Sequence, residues 1–396
     1  MAATPLYNFS AGPAILPPSV FERAAEAVRE LKGRGHASDA PGIGLSLLEI
    51  SHRSPDFGSI HEAATELVHA VLGIPQTHQV LLLQGGASQQ FAMLPLNFAT
   101  PGGRVGYVDT GAWASKAIKE SKVVAAGPGR GHETAVIASS AATGFDRVPV
   151  LDKAALAGLE GADYLHLTTN NTIYGTELED LPEAGLLPRA KGGEGSLPLI
   201  LDASSNIGSR ALGLERASIG YAGAQKNLGP SGVTLVWIDR SWLEREVPAG
   251  VPAIFRYQTH AAKGSLYNTP NTFGTLVLKL VLEWMRDKGG VAAIAADNAA
   301  KAAALYDLLD ASTLFEGHAQ PSSRSRMNVT WTLGGAPEAE RTAITERFLS
   351  EAAAAGFSGI KGHRSVGGCR ASIYNAFPRA GVDALCVFMR EFERKS

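Results

Sequence analysis

The stretch YAGAQKNLGPSGVTLVWI, residues 221–238, combines small residues, one lysine and an apolar run of strand length. The run from Val233 to Ile238 lacks regular polar alternation, which is typical of a strand buried on both faces of a parallel sheet. Lys226 lies shortly before this run, and a lysine ammonium is costly to bury unless it is paired or used. The stretch therefore predicts an α/β protein and marks Lys226 as a candidate functional residue.

Similar apolar runs recur along the chain, near positions 79, 104, 163 and 197, and loops or helical segments separate them. This alternation predicts a large domain whose mostly parallel sheet is flanked by helices. From about Phe273 the sequence is rich in alanine and then mixes strands with helices. The change predicts a smaller α+β domain towards the C-terminus.

One helix is clearly patterned in the stretch before Pro75. Ser59 and Glu62 have the spacing of a capping box, so we expect the helix to begin at Ser59. Apolar residues then recur at helical spacing, and Gly73 with Pro75 is expected to end the helix.

The composition excludes several classes of protein. The 396 residues are 45% hydrophobic and 19% charged, as in ordinary globular enzymes. The formal charge of -2 does not favour nucleic-acid binding. The cysteines, Cys369 and Cys386, are too few for a disulfide framework or a four-cysteine zinc site. Since no signal-peptide or membrane-span pattern occurs, we expect a cytoplasmic protein with no membrane partner and no metal site.

The absence of several familiar motifs also argues against some activities. The sequence contains no Gly-Lys dipeptide and hence no Walker A loop, and it has no G-x-G-x-x-G, H-E-x-x-H or G-x-S-x-G pattern. These absences disfavour nucleotidases, standard dinucleotide enzymes, zincins and α/β-hydrolases.

Two residues could carry chemistry at the ends of predicted strands. A desolvated lysine such as Lys226 can form a Schiff base with an aldehyde, for which pyridoxal phosphate is the common partner; the alternative is a lysine that extends to solvent from a strand end. Asp202 ends the run LPLILD, where open α/β sheets bind ligands. Its alternative is a helix N-cap or a turn aspartate.

Other residues suggest anion binding. The turn from Gly85 to Ser88 follows a predicted strand and opens a predicted helix, so its backbone N–H groups could bind a phosphate, although it could also be only a turn. Trp113 could lie on a cofactor ring or simply in the core. Basic residues in two loops suggest a doubly anionic substrate, with solvated surface charge as the alternative; they are His52, Arg53, His363, Arg364 and Arg370.

Five separated motifs together resemble one known family over essentially the whole chain. In order they are NFSAGPA (8–14), EISHRS (49–54), GAQKN (223–227), NTPNTF (268–273) and KGHRSVGGCRASIYNA (361–376). The sequence is similar to the phosphoserine aminotransferase family of class V, fold type I pyridoxal phosphate enzymes. It departs from familiar bacterial members at Ser88, where they carry an arginine, and at Ala11, where a serine is common.

The resemblance implies a role for each of a set of residues. Lys226 would carry the cofactor as a Schiff base, Asp202 would pair with its pyridinium nitrogen, and Trp113 would stack on its ring. The further cofactor-binding positions implied are Ala87, Ser88, Thr172, Gln225, Asn268 and Thr269, of which the last two would reach the neighbouring subunit's cofactor. The substrate-binding positions implied are Ser10, His52, Arg53, His363, Arg364 and Arg370.

The resemblance also implies an architecture and a reaction. The chain would form a homodimer, with a large cofactor domain over residues 19–272 and a small domain from 1–18 and 273–396. It would transfer the amino group of L-glutamate to 3-phosphohydroxypyruvate in serine biosynthesis, and some members also act in pyridoxine biosynthesis. The alternatives are another class V aminotransferase and a non-catalytic protein that binds a small anion.

Overall fold

The computed structural model describes residues 6–193, 195–364 and 366–396. Its helices are α1 (Pro18–Arg29), α2 (Gly33–His36), α3 (Pro55–Leu72), α4 (Gly86–Phe98), α5 (Ala112–Ala125), α6 (Lys153–Ala157), α7 (Arg240–Leu243), α8 (Tyr257–Ala262), α9 (Thr272–Asp287), α10 (Gly290–Ala311), α11 (Arg341–Ala354) and α12 (Arg379–Lys395). Its strands are β1 (Tyr7–Asn8), β2 (His78–Leu83), β3 (Arg104–Asp109), β4 (Glu133–Ser139), β5 (Tyr164–Thr168), β6 (Asn170–Asn171), β7 (Thr176–Glu177), β8 (Leu199–Asp202), β9 (Ala217–Gly223), β10 (Thr234–Asp239), β11 (Glu316–Gly317), β12 (Asn328–Thr332), β13 (Phe357–Ser358) and β14 (Cys369–Ser372).

The main sheet of the described chain has seven strands in the order β2–β10–β9–β8–β5–β3–β4. Strands β4, β3, β5, β8 and β9 are mutually parallel, which confirms the predicted α/β fold. Strand β10, the apolar run of the opening stretch, is antiparallel to both of its neighbours, β9 and β2. One antiparallel strand is compatible with the predicted mostly parallel sheet, because an apolar run reports burial on both faces and not the direction of the strand.

Two hydrophobic cores cover the faces of this sheet. Alternate residues of each strand enter opposite cores, as the two-residue period of a strand requires: Leu82 enters one core and Leu81 the other. Helices α3 and α9 pack in the first core, and α4 and α5 pack in the second. The burial of both faces leaves the ends of the strands as the place for a ligand.

A separate core forms around the three-stranded sheet β11–β12–β14. Residues of α10, α11 and α12 fill it, among them Leu385, Met389 and Phe392 of the last helix. Phe9, next to β1, also belongs to this core, and β1 pairs with β13. The N-terminal segment therefore packs with the C-terminal part of the chain. The exact domain bounds, 19–272 and 1–18 with 273–396, stay a prediction.

Helix α3 begins one turn earlier than its capping-box pattern predicts. Its N-cap is Ser54, whose side chain accepts a hydrogen bond from Phe57 N, and Pro55 occupies the first helical position. Ser59 lies inside the helix, where its hydroxyl donates to Pro55 O at 3.0 Å. The predicted end is confirmed, because Gly73 caps the helix with a φ of 70°.

Candidate active site

The carboxyl ends of several strands meet at one edge of the main sheet. Strands β5, β8 and β9 run parallel and end at Thr168, Asp202 and Gly223. Strand β2 runs in the same direction as β9, because both are antiparallel to β10, so its end and the start of α4 reach the same edge. Lys226 follows the end of β9 by three residues. The topology therefore brings the predicted lysine and aspartate together.

A cavity lies at this edge. Its lining residues are Gly86, Ala87, Ser88, Trp113, Thr168, Asn170, Asp202, Ser204, Ser205, Gln225 and Lys226. Six of the predicted site residues are among them: Ala87, Ser88, Trp113, Asp202, Gln225 and Lys226. Sequence reasoning missed the small polar residues that follow β5 and β8. Their signal was present, since each lies just beyond a predicted buried strand.

Lys226 is held in a turn against the edge of the sheet. Its Nζ donates a hydrogen bond to Thr172 Oγ1 at 2.9 Å and lies 5.7 Å from the centroid of the Trp113 ring. Burial lowers the pKa of Lys226 to about 8; the negative charge of Asp202 opposes this shift and the positive charge of Arg370 adds to it. The amine is thus more readily deprotonated than an ordinary lysine, as a nucleophile or general base requires.

The lowered pKa of Lys226 predicts a distinct pH profile for its reactivity. In the cofactor-free protein, acylation of Nζ should accelerate about tenfold per pH unit below pH 8 and then level off, because only the neutral amine reacts. Nα-acetyl-lysine as a reference should level off only near pH 10.4. The measurement is the mass of the peptide that contains Lys226 after timed labelling. A rate that still rises at pH 10 would contradict the assignment of a buried amine.

Asp202 is nearly buried, with 4% of its surface exposed. Its Oδ1 accepts hydrogen bonds from Ser204 N at 3.0 Å and Ser204 Oγ at 2.6 Å. Burial raises the pKa of Asp202, whereas the Ser204 hydrogen bonds and the charge of Lys226 oppose that rise. The hydrogen bonds from Ser204 resemble those that a helix N-cap aspartate accepts, which is the structural alternative for Asp202. Asp202 nevertheless lines the cavity and faces Lys226.

Two further buried residues, Tyr221 and His166, contribute to the surroundings of Asp202. Tyr221 is its partner in the register of β8 with β9, and a hydrogen bond from Tyr221 lowers the pKa of Asp202. The Tyr221 hydroxyl lies 2.8 Å from His166 Nε2. Burial lowers the pKa of His166 to about 3, so the imidazole is neutral. These partners could not be found from the sequence, because they depend on the register between strands.

The start of α4 forms the opposite wall of the cavity. Gly85 and Gly86 have φ values of 92° and 66°, which favour glycine. No side chain caps this helix end, so the backbone N–H groups of its first turn, from Gly86 to Ser88, have no partner within the helix. This arrangement suits a phosphate group. Gln225, on the turn of Lys226, completes that side of the cavity.

Trp113, Thr172 and Arg370 connect this cavity to the smaller core. Thr172 Oγ1 accepts from Lys226, and Thr172 O accepts from Arg370 Nη1 at 3.3 Å. Within the described part of the chain, the buried Trp113 Nε1 and Arg370 Nε have no hydrogen-bond partner. Buried donors without partners are rare in folded proteins, so both point to a bound molecule at this place.

The loop before β14 adds positive charge. Burial lowers the pKa of His363, and the nearby charges of Arg370, Arg364 and Lys116 lower it further. Arg364 is exposed. Lys116 lies on the first turn of α5 and was not predicted as a site residue.

The N-terminal segment that contains Ser10 covers the lysine turn. Ala14 N donates to Gln225 O at 2.9 Å. Gly12 packs so closely that a Cβ there would lie 3.6 Å from Lys226 Cγ. Ser10 is two residues away, and its own N donates to Asn8 Oδ1 at 3.0 Å.

Nine of the fifteen predicted site residues are not among those that line the cavity, and four of the nine are His52, Arg53, Asn268 and Thr269. Arg53, Asn268 and Thr269 are exposed, and His52 is half-buried. Asn268 Nδ2 donates to Gln84 Oε1 at 3.1 Å, just beyond the end of β2. Their roles as cofactor- and substrate-binding residues remain predictions.

The described ranges contain neither a membrane span nor a metal cluster. No helix in them has the length and apolar character to cross a bilayer. No group of three His, Cys, Asp or Glu residues in them could hold a metal ion. Cys369 and Cys386 are both buried and free.

Known proteins resemble this chain in sequence and in structure. The family model for class-V aminotransferases matches residues 6–385. A phosphoserine aminotransferase of Halalkalibacterium halodurans is 45% identical over 387 residues, and the match covers 98% of each chain. The enzyme of that name from Bacillus subtilis is 41% identical over 390 residues, again 98% of each chain.

Solved structures agree with this relationship. The structure of a phosphoserine aminotransferase from Bacillus circulans subsp. alkalophilus matches with a TM-score of 0.86 and 41% identity, over 98% of this chain and 99% of that chain. A phosphoserine aminotransferase from Trichomonas vaginalis with bound pyridoxal phosphate matches with a TM-score of 0.84 and 33% identity, over 97% and 99%. The chain therefore belongs to the class-V aminotransferases, which are pyridoxal phosphate-dependent transaminases, and within them to the phosphoserine aminotransferase family.

Proposed function

We propose that this enzyme transfers the amino group of L-glutamate to 3-phosphohydroxypyruvate, which yields O-phospho-L-serine and 2-oxoglutarate. The observation that carries the proposal is a half-buried lysine whose pKa desolvation lowers, Lys226, which shares one cavity with the buried carboxylate of Asp202. Enzymes that match over nearly the full chain are named phosphoserine aminotransferases, which supports the same reaction.

The residues of the cavity fit pyridoxal phosphate. Lys226 would hold its aldehyde carbon, Asp202 its ring nitrogen, and Trp113 and Thr172 would flank its ring. The uncapped start of α4 at Ala87 and Ser88, with Gln225, would hold its phosphate. The unpartnered Nε1 of Trp113 and the uncapped N–H groups of α4 are the features of this chain that favour such a group. When bound, the cofactor supplies an electron-withdrawing ring that stabilises negative charge at the substrate Cα.

Lys226 would act as the general base and acid. Its neutral amine, favoured by burial, takes the proton from the Cα of glutamate, and its ammonium later returns a proton to the Cα of the product amino acid. The hydrogen bond to Thr172 Oγ1 orients Nζ between these steps.

Asp202 would keep its charge in a buried place. Two hydrogen bonds from Ser204 stabilise the carboxylate, and Tyr221 adds support. An anion at this position holds a proton on a ring nitrogen nearby, because the two opposite charges stabilise each other.

The basic residues would bind the two anionic groups of the substrate. Arg370 uses one guanidinium nitrogen for Thr172 O, and its buried Nε, which has no partner in the described ranges, would donate to the substrate carboxylate. Arg364 would extend the positive charge towards the substrate phosphate, His363, whose pKa is lowered, would contribute a neutral imidazole as a hydrogen-bond donor, and Ser10 would offer a hydroxyl on the covering segment.

We also propose that the enzyme is a homodimer with shared active sites. His52, Arg53, Asn268 and Thr269 lie away from the cavity of their own chain, and three of the four are exposed. Polar residues at the surface can complete the site of a second subunit across a symmetric interface. Further parts of the proposal are a cytoplasmic location and a place in serine biosynthesis, with a second substrate, 4-phosphohydroxythreonine, in pyridoxine biosynthesis.

A paired-substrate assay tests the proposed reaction. With L-glutamate as donor, we expect kcat/KM for 3-phosphohydroxypyruvate to exceed that for hydroxypyruvate by about 100-fold or more, because the basic cluster loses its dianionic partner in the second compound. Formation of 2-oxoglutarate, coupled to glutamate dehydrogenase, gives both rates. Equal rates, or a preference for pyruvate or glyoxylate, would instead indicate another class V aminotransferase, and the absence of any turnover would indicate a non-catalytic binding protein.

A further inference from the structure

One cation near the cavity has no role in the functions described above. Lys116 lies on the first turn of α5, three residues after Trp113, so the two side chains are neighbours on one helix face. The Lys116 side chain is exposed, and its Nζ lies 4.2 Å from the centroid of the Trp113 ring. This distance is within the range of a cation–π contact, which holds the ammonium at the rim of the cavity.

The same indole ring also lies near the reacting amine. Lys226 Nζ is 5.7 Å from its centroid. Trp113 therefore lies within about 6 Å of two amines, one half-buried and one exposed. Trp113, which lines the cavity, is the residue through which the exposed ammonium of Lys116 neighbours the site of Lys226.

Lys116 is part of a wider excess of positive charge. Its charge acts on His363 together with the charges of Arg364 and Arg370, so these four groups surround one region. In the described ranges, neither Lys116 nor either arginine forms an ion pair. Such a cluster favours an anion that carries more than one charge.

Within the described ranges no acidic residue forms an ion pair with Lys116, and this includes Glu120, which lies one turn further along α5. Asp202 is the one acidic residue in the lining of the cavity and faces Lys226. Asp109, at the end of β3, accepts a hydrogen bond from Ser115 Oγ at 2.7 Å and does not line the cavity. Ser88, on the wall formed by α4, contributes no charge.

We propose that Lys116 is a specificity-determining residue that binds the phosphate group of the keto acid substrate and so selects phosphorylated over unphosphorylated keto acids. This inference rests on the proposed function. A phosphate monoester carries a charge of about -1.5 to -2 at pH 7, which a carboxylate or hydroxyl in the same place would lack. A lysine is suited to this role because its flexible stem places a point charge at the open side of a site.

The test compares Lys116→Ala and Lys116→Arg with Lys122→Ala, an exposed lysine on the last turn of the same helix. Lys116→Ala should raise KM for 3-phosphohydroxypyruvate about five- to tenfold, change kcat less than about twofold, and leave KM for hydroxypyruvate and glutamate unchanged. Lys116→Arg should restore most of the loss, and Lys122→Ala should match the unaltered enzyme. If Lys116 only steadied Trp113, the alanine variant would affect both keto acids equally, and that result would overturn the proposal.

A binding measurement separates this inference from the proposed reaction. Calorimetric titration of the cofactor-loaded enzyme with inorganic phosphate should show affinity at least about threefold weaker for Lys116→Ala than for Lys122→Ala. Equal affinities would overturn the role of Lys116 even if the enzyme prefers phosphorylated substrates. If the unaltered enzyme lacks that preference, the proposed reaction fails, and the phosphate titration still decides whether Lys116 binds this anion.

Discussion

Replacement of Lys226 by alanine should lower kcat for transfer from L-glutamate by about 1,000-fold or more, because no other amine lines the cavity to move the Cα proton. The expected loss exceeds that of a simple charge deletion. The measurement is a single-turnover experiment in which 2-oxoglutarate is quantified at saturating glutamate. In the unaltered enzyme, borohydride treatment in the presence of pyridoxal phosphate should add the mass of the reduced cofactor to the peptide that contains Lys226.

The matched control is Lys226→Arg. An arginine keeps the positive charge but stays protonated at every usable pH, so it should be as inactive as the alanine variant. Activity within about tenfold of the unaltered enzyme in Lys226→Arg would contradict the chemistry assigned to the amine, and would favour a lysine that serves as a charge for anion binding.

Replacement of Asp202 by asparagine should lower kcat about 100- to 1,000-fold while it preserves the shape of the side chain. The amide cannot hold a proton on a ring nitrogen, and the buried site loses the negative charge that opposes the lowered pKa of Lys226. The pKa of Lys226 should therefore fall further, and the plateau in its acylation profile should move below pH 8 in the cofactor-free variant. Rates with glutamate and the labelling profile are the two measurements.

Asp239→Asn is the control for this change. Asp239 ends β10, which runs antiparallel to β9, so it lies at the opposite edge of the same sheet. Its substitution should alter stability slightly, through the hydrogen bond to Ser241 N, and kcat less than about twofold. An Asp202→Asn enzyme that matches Asp239→Asn in kcat would remove Asp202 from the mechanism.

The sequence was sufficient to predict the architecture and the main pair of residues. Apolar runs indicate strands buried on both faces, and polar residues at their ends indicate the ligand edge, which led to Asp202 and Lys226. The pattern of apolar runs does not specify the direction of a strand, so the antiparallel direction of β10 was not predicted. The start of α3 was missed for a related reason: Ser59 has the spacing of a cap, but Ser54 followed by Pro55 is the cap that the chain uses.

Contacts between distant strands could not be predicted. The support of Asp202 by Tyr221 and His166 depends on register, which apolar runs of this kind do not specify. The role proposed for Lys116 could not be predicted either, because it depends on the loop that contains His363, more than 200 residues away in the chain. Such contacts can be identified only once the register of the strands and the packing between the two parts of the chain are known.

Thr172 contacts both the amine proposed to move the proton and the arginine proposed to bind the substrate carboxylate. Its hydroxyl oxygen receives the Lys226 ammonium, while its backbone oxygen receives the Arg370 guanidinium. A substrate carboxylate bound at the unpartnered Nε of Arg370 would leave that second contact in place, so one threonine would keep the amine and the acid-binding arginine in a fixed relation during turnover.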